Sequence, residues 1–158
     1  MSTINLSTEL PMYLGKNIKD ICTNSYINDA ESHCAHFVSH VLGYTFGFRC
    51  KGMTGKGSGT GATIRVENIF KNCMAVSEWA DRAQGNCLAF VIDSRHVHLL
   101  TKTMVKAGQK HVGIFCNEKI YNYSNSTEKV VATKADIFKK FYKGDSIKVY
   151  YGTFPSIL

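Results

Sequence analysis

Residues 111–124 read HVGIFCNEKIYNYS. Residues 111–116 and 119–123 are short runs rich in Val, Ile, Phe and Tyr, and Asn117-Glu118 between them is a two-residue connection. The pattern predicts a β-hairpin. With the turn on Asn117-Glu118, position 111 pairs near position 124, so Asn122 is a diagonal neighbour of His111 able to share its face of the sheet. Residues 87–92 (CLAFVI), 97–100 and 147–151 have the same short, apolar character between turn residues, which extends the hairpin into a mostly antiparallel sheet of five to six strands.

The helical signals lie mainly ahead of these strands. From Cys34, the residues Phe37, Val38, Val41 and Leu42 recur at the three-and-four spacing of one helical face, and Gly43 is placed to stop the helix. Ser32 or Asp29 can cap its start, which puts Cys34 in the first turn. Residues 18–22 predict a short helix, residues 62–73 a second long one, and residues 77–82 a further turn. Thr133 with Asp136 resembles a capping box opening a helix that carries Ile137, Phe138 and Phe141. Helices preceding and packing on an antiparallel sheet make an α+β domain. A chain of 158 residues with no linker-like tract is expected to form one such domain over residues 1–158.

Composition narrows the function classes. Hydrophobic residues make up 44% and charged residues 20%, too apolar for a disordered chain. No apolar run reaches the roughly 18 residues of a membrane span, and the start MSTINLSTEL lacks the basic and apolar regions of a secretory signal. The expectation is a protein made in the cytoplasm without membrane insertion, any export using a signal-independent route. The formal charge of +7 points to an anionic partner: acidic wall polymer, nucleic acid or anionic lipid. The stretch KGMTGKGSGTG, residues 51–61, has five glycines and reads as a loop. It is not a phosphate-binding loop, because Lys56 is followed by Gly57 where that motif needs Ser or Thr.

Six cysteines stand at positions 22, 34, 50, 73, 87 and 116. A chain of this length buries a core unaided, so free thiols are expected, and Cys22, Cys73, Cys87 and Cys116 read as small buried residues. Cys34 differs, because a thiol at a helix N-terminus beside a histidine is driven toward thiolate. His111 can supply the base, and Asn122 can hold the imidazole's tautomer and orientation. Cys34 is expected to be the one partly exposed thiol.

SHCAHFVSHVLGY (32–44), followed by LAFV (88–91), HVGIF (111–115) and IYNYS (120–124), resembles the NlpC-type, papain-like cell-wall peptidases, including amidase effectors that bacteria inject into rivals through type VI secretion. The resemblance spans roughly residues 30–124. It implies a papain-like fold with Cys34 as nucleophile, His111 as general base and Asn122 as orienting residue. Asn28, six residues before Cys34, is by loose similarity an oxyanion donor. The implied function is a cysteine amidase or endopeptidase cutting peptidoglycan stem peptides, most often between D-glutamate and diaminopimelate, as a secreted antibacterial toxin. A cognate immunity protein is the implied inhibitor. This sequence departs from the family in having His33 before the nucleophile and Ala35-His36 after it, and in a longer, basic segment at residues 93–110.

His33, His36 and His40 fall at three-and-four spacing opposite the apolar stripe. They read as a solvated face, with His33 and His36 at the rim of the substrate pocket. With no thiol beside them in sequence except Cys34, neither a metal nor a cofactor is expected. Two other readings stay open: a Cys-His deamidase, acyltransferase or protease acting on host proteins or lipids, and a non-enzymatic basic module binding nucleic acid.

Overall fold

The computed structural model describes residues 5–22, 33–44, 50, 65–105 and 109–155. In these the chain runs through α1 (Leu6–Tyr13), α2 (Cys34–Leu42), α3 (Val66–Asn72), β1 (Val76–Glu78), β2 (Cys87–Asp93), β3 (Val97–His98), β4 (Thr103–Met104), β5 (Lys110–Cys116), β6 (Lys119–Ser124), β7 (Lys129–Thr133), α4 (Ala135–Phe138) and β8 (Ile147–Gly152), with 3-10 turns between some of them. β1, β8, β2, β5, β6 and β7 form, in that order, a six-stranded sheet, and every adjacent pair is antiparallel. The α+β class and the antiparallel sheet are as expected. Among the described residues no helix is long and apolar enough to cross a membrane.

β2 shows why the sheet lies in the middle of the molecule. Its side chains divide at a strict period of two: Leu88, Phe90 and Ile92 join the core beneath α1, α2 and α3, while Cys87, Ala89 and Val91 join a second core with Phe138, Ile147 and Tyr151. A strand covered on both faces has no polar side to show, which is the continuous apolar run CLAFVI. β5 divides likewise. Val112, Ile114 and Cys116 face the first core, and Phe115 faces the second. The 5–6 hairpin turns at Asn117 and Glu118, both in the left-handed region at φ 53° and 65°, the geometry that matches strand twist in a two-residue loop.

α2 stops as its sequence directs. Gly43 takes φ 79° and its N–H donates to the Ser39 carbonyl at 2.7 Å. The start differs from expectation, for His33 holds the N-cap position without a side-chain capping bond, and Ser32, Asp29 and Asn28 lie outside the described residues. The glycine-rich stretch 51–61 also lies outside them.

Several other elements depart from the sequence reading. Residues 77–82 form the end of β1 and a 3-10 turn (Trp79–Asp81) in place of a helical turn, because residues 76–78 pair with the edge of β8. Residues 18–22 form a 3-10 turn over Ile18–Asp20, capped by the Asn17 side chain. Of residues 97–100, Val97 and His98 alone form strand, paired with β4 in a separate two-stranded ribbon. Thr133 does not open α4, whose N-cap is Lys134; it ends β7, a strand that the sequence pattern did not reveal.

Candidate active site

The hairpin carries the polar pair predicted for it. The register Ile114↔Tyr121, Phe115↔Ile120, Cys116↔Lys119 leaves Asn122 on the face of the sheet that β5 presents with His111. The His111 Nε2 and Asn122 Oδ1 stand 3.0 Å apart. Both residues are buried, at 2% and 1% exposure. The direction of this bond follows from the amide's other contacts. Asn122 Nδ2 donates to the Ile120 carbonyl at 2.9 Å and to Thr133 Oγ1 at 3.2 Å, so its oxygen is the atom turned to the imidazole. His111 must therefore donate from Nε2, and Nδ1 keeps the basic lone pair. Thr133, read from sequence as a helix cap, is instead what holds Asn122.

The close approach of β5 to β6 here requires Gly113. A Cβ at that position would stand 2.5 Å from Ile120 Cγ2, 2.8 Å from the Tyr121 carbonyl oxygen and 3.0 Å from Asn122 Cβ. On the same face, Phe141 stacks on the imidazole with ring centroids 4.0 Å apart and planes 11° apart, and Phe138 lies against it at 5.4 Å. Packing thus fixes the ring plane that the amide fixes in rotation.

Cys34 comes to the start of the same strand. α2 packs on β5 and β6, and its first turn is tied to the end of β6 by a hydrogen bond from the His33 N–H to Asn125 Oδ1 at 3.2 Å. The Cys34 Sγ lies 4.0 Å from the carbonyl oxygen of Lys110, the residue before His111. Tyr142, next to Phe141, has its hydroxyl pKa raised, first by burial and then by the nearby Cys34 charge, so it stays a proton donor through the alkaline range. Cys34, Lys110, His111, Phe141 and Tyr142 therefore meet at one end of β5. Alternation along the strand directs the imidazole to the face opposite α2, while the thiol lies against the backbone carbonyl of Lys110 at the strand's start. Tyr142 and Phe141 were not singled out as site residues from sequence; the aromatic pair after the α4 pattern was the available signal.

Two expectations about accessibility are corrected. Cys34 is 3% exposed and not an open thiol, because its helix start is pressed onto the sheet. All six cysteines are free and buried; burial pushes the Cys73 thiol up to about 12 and Cys87 up to about 11, which keeps both protonated and inert. Nor is the histidine face of α2 solvated, and His33 and His36 do not form a pocket rim. Both are fully buried and His40 is half-buried, with His36 Nε2 3.3 Å from Cys50 Sγ and His36 Nδ1 3.0 Å from His33 Nδ1. Burial lowers the His36 pKa, against the opposing pull of Cys50. The expected oxyanion donor Asn28 lies outside the described residues.

The chain matches no protein-family model, and neither a search of curated proteins nor one of solved structures finds a similar protein.

Proposed function

We propose that the chain is a papain-like cysteine hydrolase that cleaves an amide bond in peptidoglycan stem peptides. The observation that carries the reading is the buried bond from His111 Nε2–H to Asn122 Oδ1, which leaves Nδ1 basic at the end of β5 where the first turn of α2 brings Cys34. In the reaction His111 Nδ1 takes the Sγ proton, and the sulfur electron pair attacks the carbonyl carbon. The oxyanion is held by first-turn amides of α2, whose own ladder begins only with the Phe37 N–H to His33 carbonyl bond at 2.8 Å. The imidazolium returns its proton to the departing amine. Water then attacks the thioester with the same base and frees the acid and the thiol.

The bond between D-glutamate and diaminopimelate is the proposed target, in keeping with the sequence resemblance, and the +7 charge suits an acidic wall polymer. Such an enzyme acts in the wall of a rival cell, and an acidic inhibitor that blocks the Cys34 site would protect kin. The test is digestion of purified muropeptides by the wild type and by Cys34→Ala, with fragments identified by mass. New fragments from the wild type alone support the reading. Intact muropeptides, together with Cys34-dependent deamidation or cleavage of a protein substrate, would move the same site to the deamidase or protease class. Equal fragment yields from the two proteins would remove the thiol from the mechanism.

A further inference from the structure

The side of α2 away from the catalytic thiol carries a second constellation. His36 and His40, one helical turn apart, meet Cys22 from the segment after the first 3-10 turn and Cys50 from beyond the helix. One ligand atom from each lies within 4.8 Å of all the others. The separations are Cys22 Sγ to Cys50 Sγ 3.7 Å, His36 Nε2 to Cys50 Sγ 3.3 Å, His40 Nε2 to Cys50 Sγ 3.7 Å and His36 Nε2 to His40 Nε2 3.0 Å. An ion held tetrahedrally at about 2.3 Å from sulfur and 2.0–2.1 Å from nitrogen sets S···S at about 3.8 Å, S···N at about 3.6 Å and N···N at about 3.3 Å. The four observed edges lie within about 0.3 Å of those values.

We propose that Cys22, His36, His40 and Cys50 form a structural zinc site that clamps α2 to the chain segments on either side of it. Two thiolates and two imidazoles in tetrahedral array select zinc among the common divalent ions. Four protein ligands leave no open position, so the ion is structural. His36 binds through Nε2, which places its proton on Nδ1, and His33 Nδ1 stands 3.0 Å away to accept it; such an outer partner fixes a ligating histidine's tautomer and ring plane. His33 is itself wedged edge-on against Tyr123, at 5.7 Å between centroids. A cleft lined by Glu9, Tyr13, Lys16, Asp20 and His40 opens beside the cluster at His40. Cys34, turned to Lys110 at the other end of the first turn, remains available to act as a nucleophile. Zinc here leaves Cys34 unligated, because both thiols of the group, Cys22 and Cys50, come from positions distant in sequence.

The experiment is metal analysis and cobalt substitution of the full chain, purified under reducing conditions, using the Cys34→Ala variant so that the catalytic thiol cannot contribute. One zinc per chain is expected, and replacement by Co²⁺ should give the intense visible bands of a tetrahedral ion with thiolate charge transfer in the near ultraviolet. X-ray absorption of the zinc form should show two sulfur and two nitrogen scatterers. Cys22→Ser and Cys50→Ser should each lose the metal. If either serine variant fails to fold, the absorption spectrum of the Cys34→Ala protein still decides the ligand set. Failure to bind stoichiometric zinc after reconstitution, a set without two sulfurs, a six-coordinate cobalt spectrum, or a Cys22–Cys50 disulfide persisting under reducing conditions would overturn the site.

Discussion

Gly113→Ala tests whether the distance between β5 and β6 holds the His111–Asn122 pair. The added methyl would lie 2.5 Å from Ile120 Cγ2, 2.8 Å from the Tyr121 carbonyl oxygen and 3.0 Å from Asn122 Cβ, against about 3.5–4.0 Å for a relaxed carbon contact. The Ile120 methyl can turn aside, but the Tyr121 oxygen and Asn122 Cβ move only if β6 moves, by roughly 0.5–1 Å. Overpacking of this kind costs about 1–3 kcal/mol, or roughly 2–12 °C in Tm for a chain of this size. The same shift stretches the 3.0 Å bond between His111 and Asn122. The assay is thermal unfolding together with the ¹⁵N shifts of the His111 ring, read well below the transition. Wild type should show a proton fixed on Nε2 and a bare Nδ1, and the alanine variant a mixture of tautomers. A Gly113→Ala protein with unchanged Tm and an unchanged fixed tautomer would refute the reasoning, since the strand spacing would then be slack.

Asn122→Ala removes an orienting hydrogen bond to a buried group, worth about 1–3 kcal/mol or roughly 5- to 150-fold in rate, while Asn122→Asp, which still accepts from Nε2, should keep more activity in a muropeptide assay. Cys34→Ala should abolish turnover yet lower Tm by no more than a few degrees, because Ala favours the helix and little volume is lost; a normal rate in the folded variant would exclude the thiol. Phe141→Ala should forfeit about 0.5–1.5 kcal/mol of aromatic stacking and speed exchange of the His111 ring proton, measured by NMR. Removing metal with a chelator should lower Tm and open Cys22 and Cys50 to alkylation while Cys73 and Cys87, both fully buried in the core, stay protected; mass mapping of the labelled cysteines checks this.

What the sequence made legible is what period and turn chemistry control. The hairpin at Asn117-Glu118, the apolar run of β2 and the stripe of α2 each announce their structure locally, and the diagonal pairing of His111 with Asn122 follows from counting across a two-residue turn. β7 was not legible, because its residues 130–133 are VVAT, too short to show alternation, and its strand state depends on pairing with β6. Thr133 illustrates a local signal overridden by tertiary contact: its hydroxyl serves Asn122 across the hairpin edge and not the amides of α4. Tyr142 reaches Cys34 from more than a hundred residues away, and no spacing rule connects them.

The burial of the α2 histidines was illegible for the same reason, and it bears on how the helix is positioned. His36 and His40 lie on the face opposite the stripe of Phe37, Val38, Val41 and Leu42, and a helix with one apolar face turns the other to water unless something covers it. Cys22 and Cys50 cover it, fourteen residues before His36 and ten after His40. A two-sided burial leaves α2 packed on the sheet on one face and against Cys22 and Cys50 on the other, with Cys34 at its start on the sheet side. If Cys34 is the nucleophile of the proposed mechanism, the position of the helix start along β5 matters more than helix stability. Apolar packing alone tolerates sliding, since it is non-directional. The bond from His33 to Asn125 is directional, as the proposed ligation by His36 and His40 would be, and together they would fix the helix along and about its axis. The proposed metal and the proposed nucleophile, unconnected by any bond, would thus be coupled through the one helix that carries both.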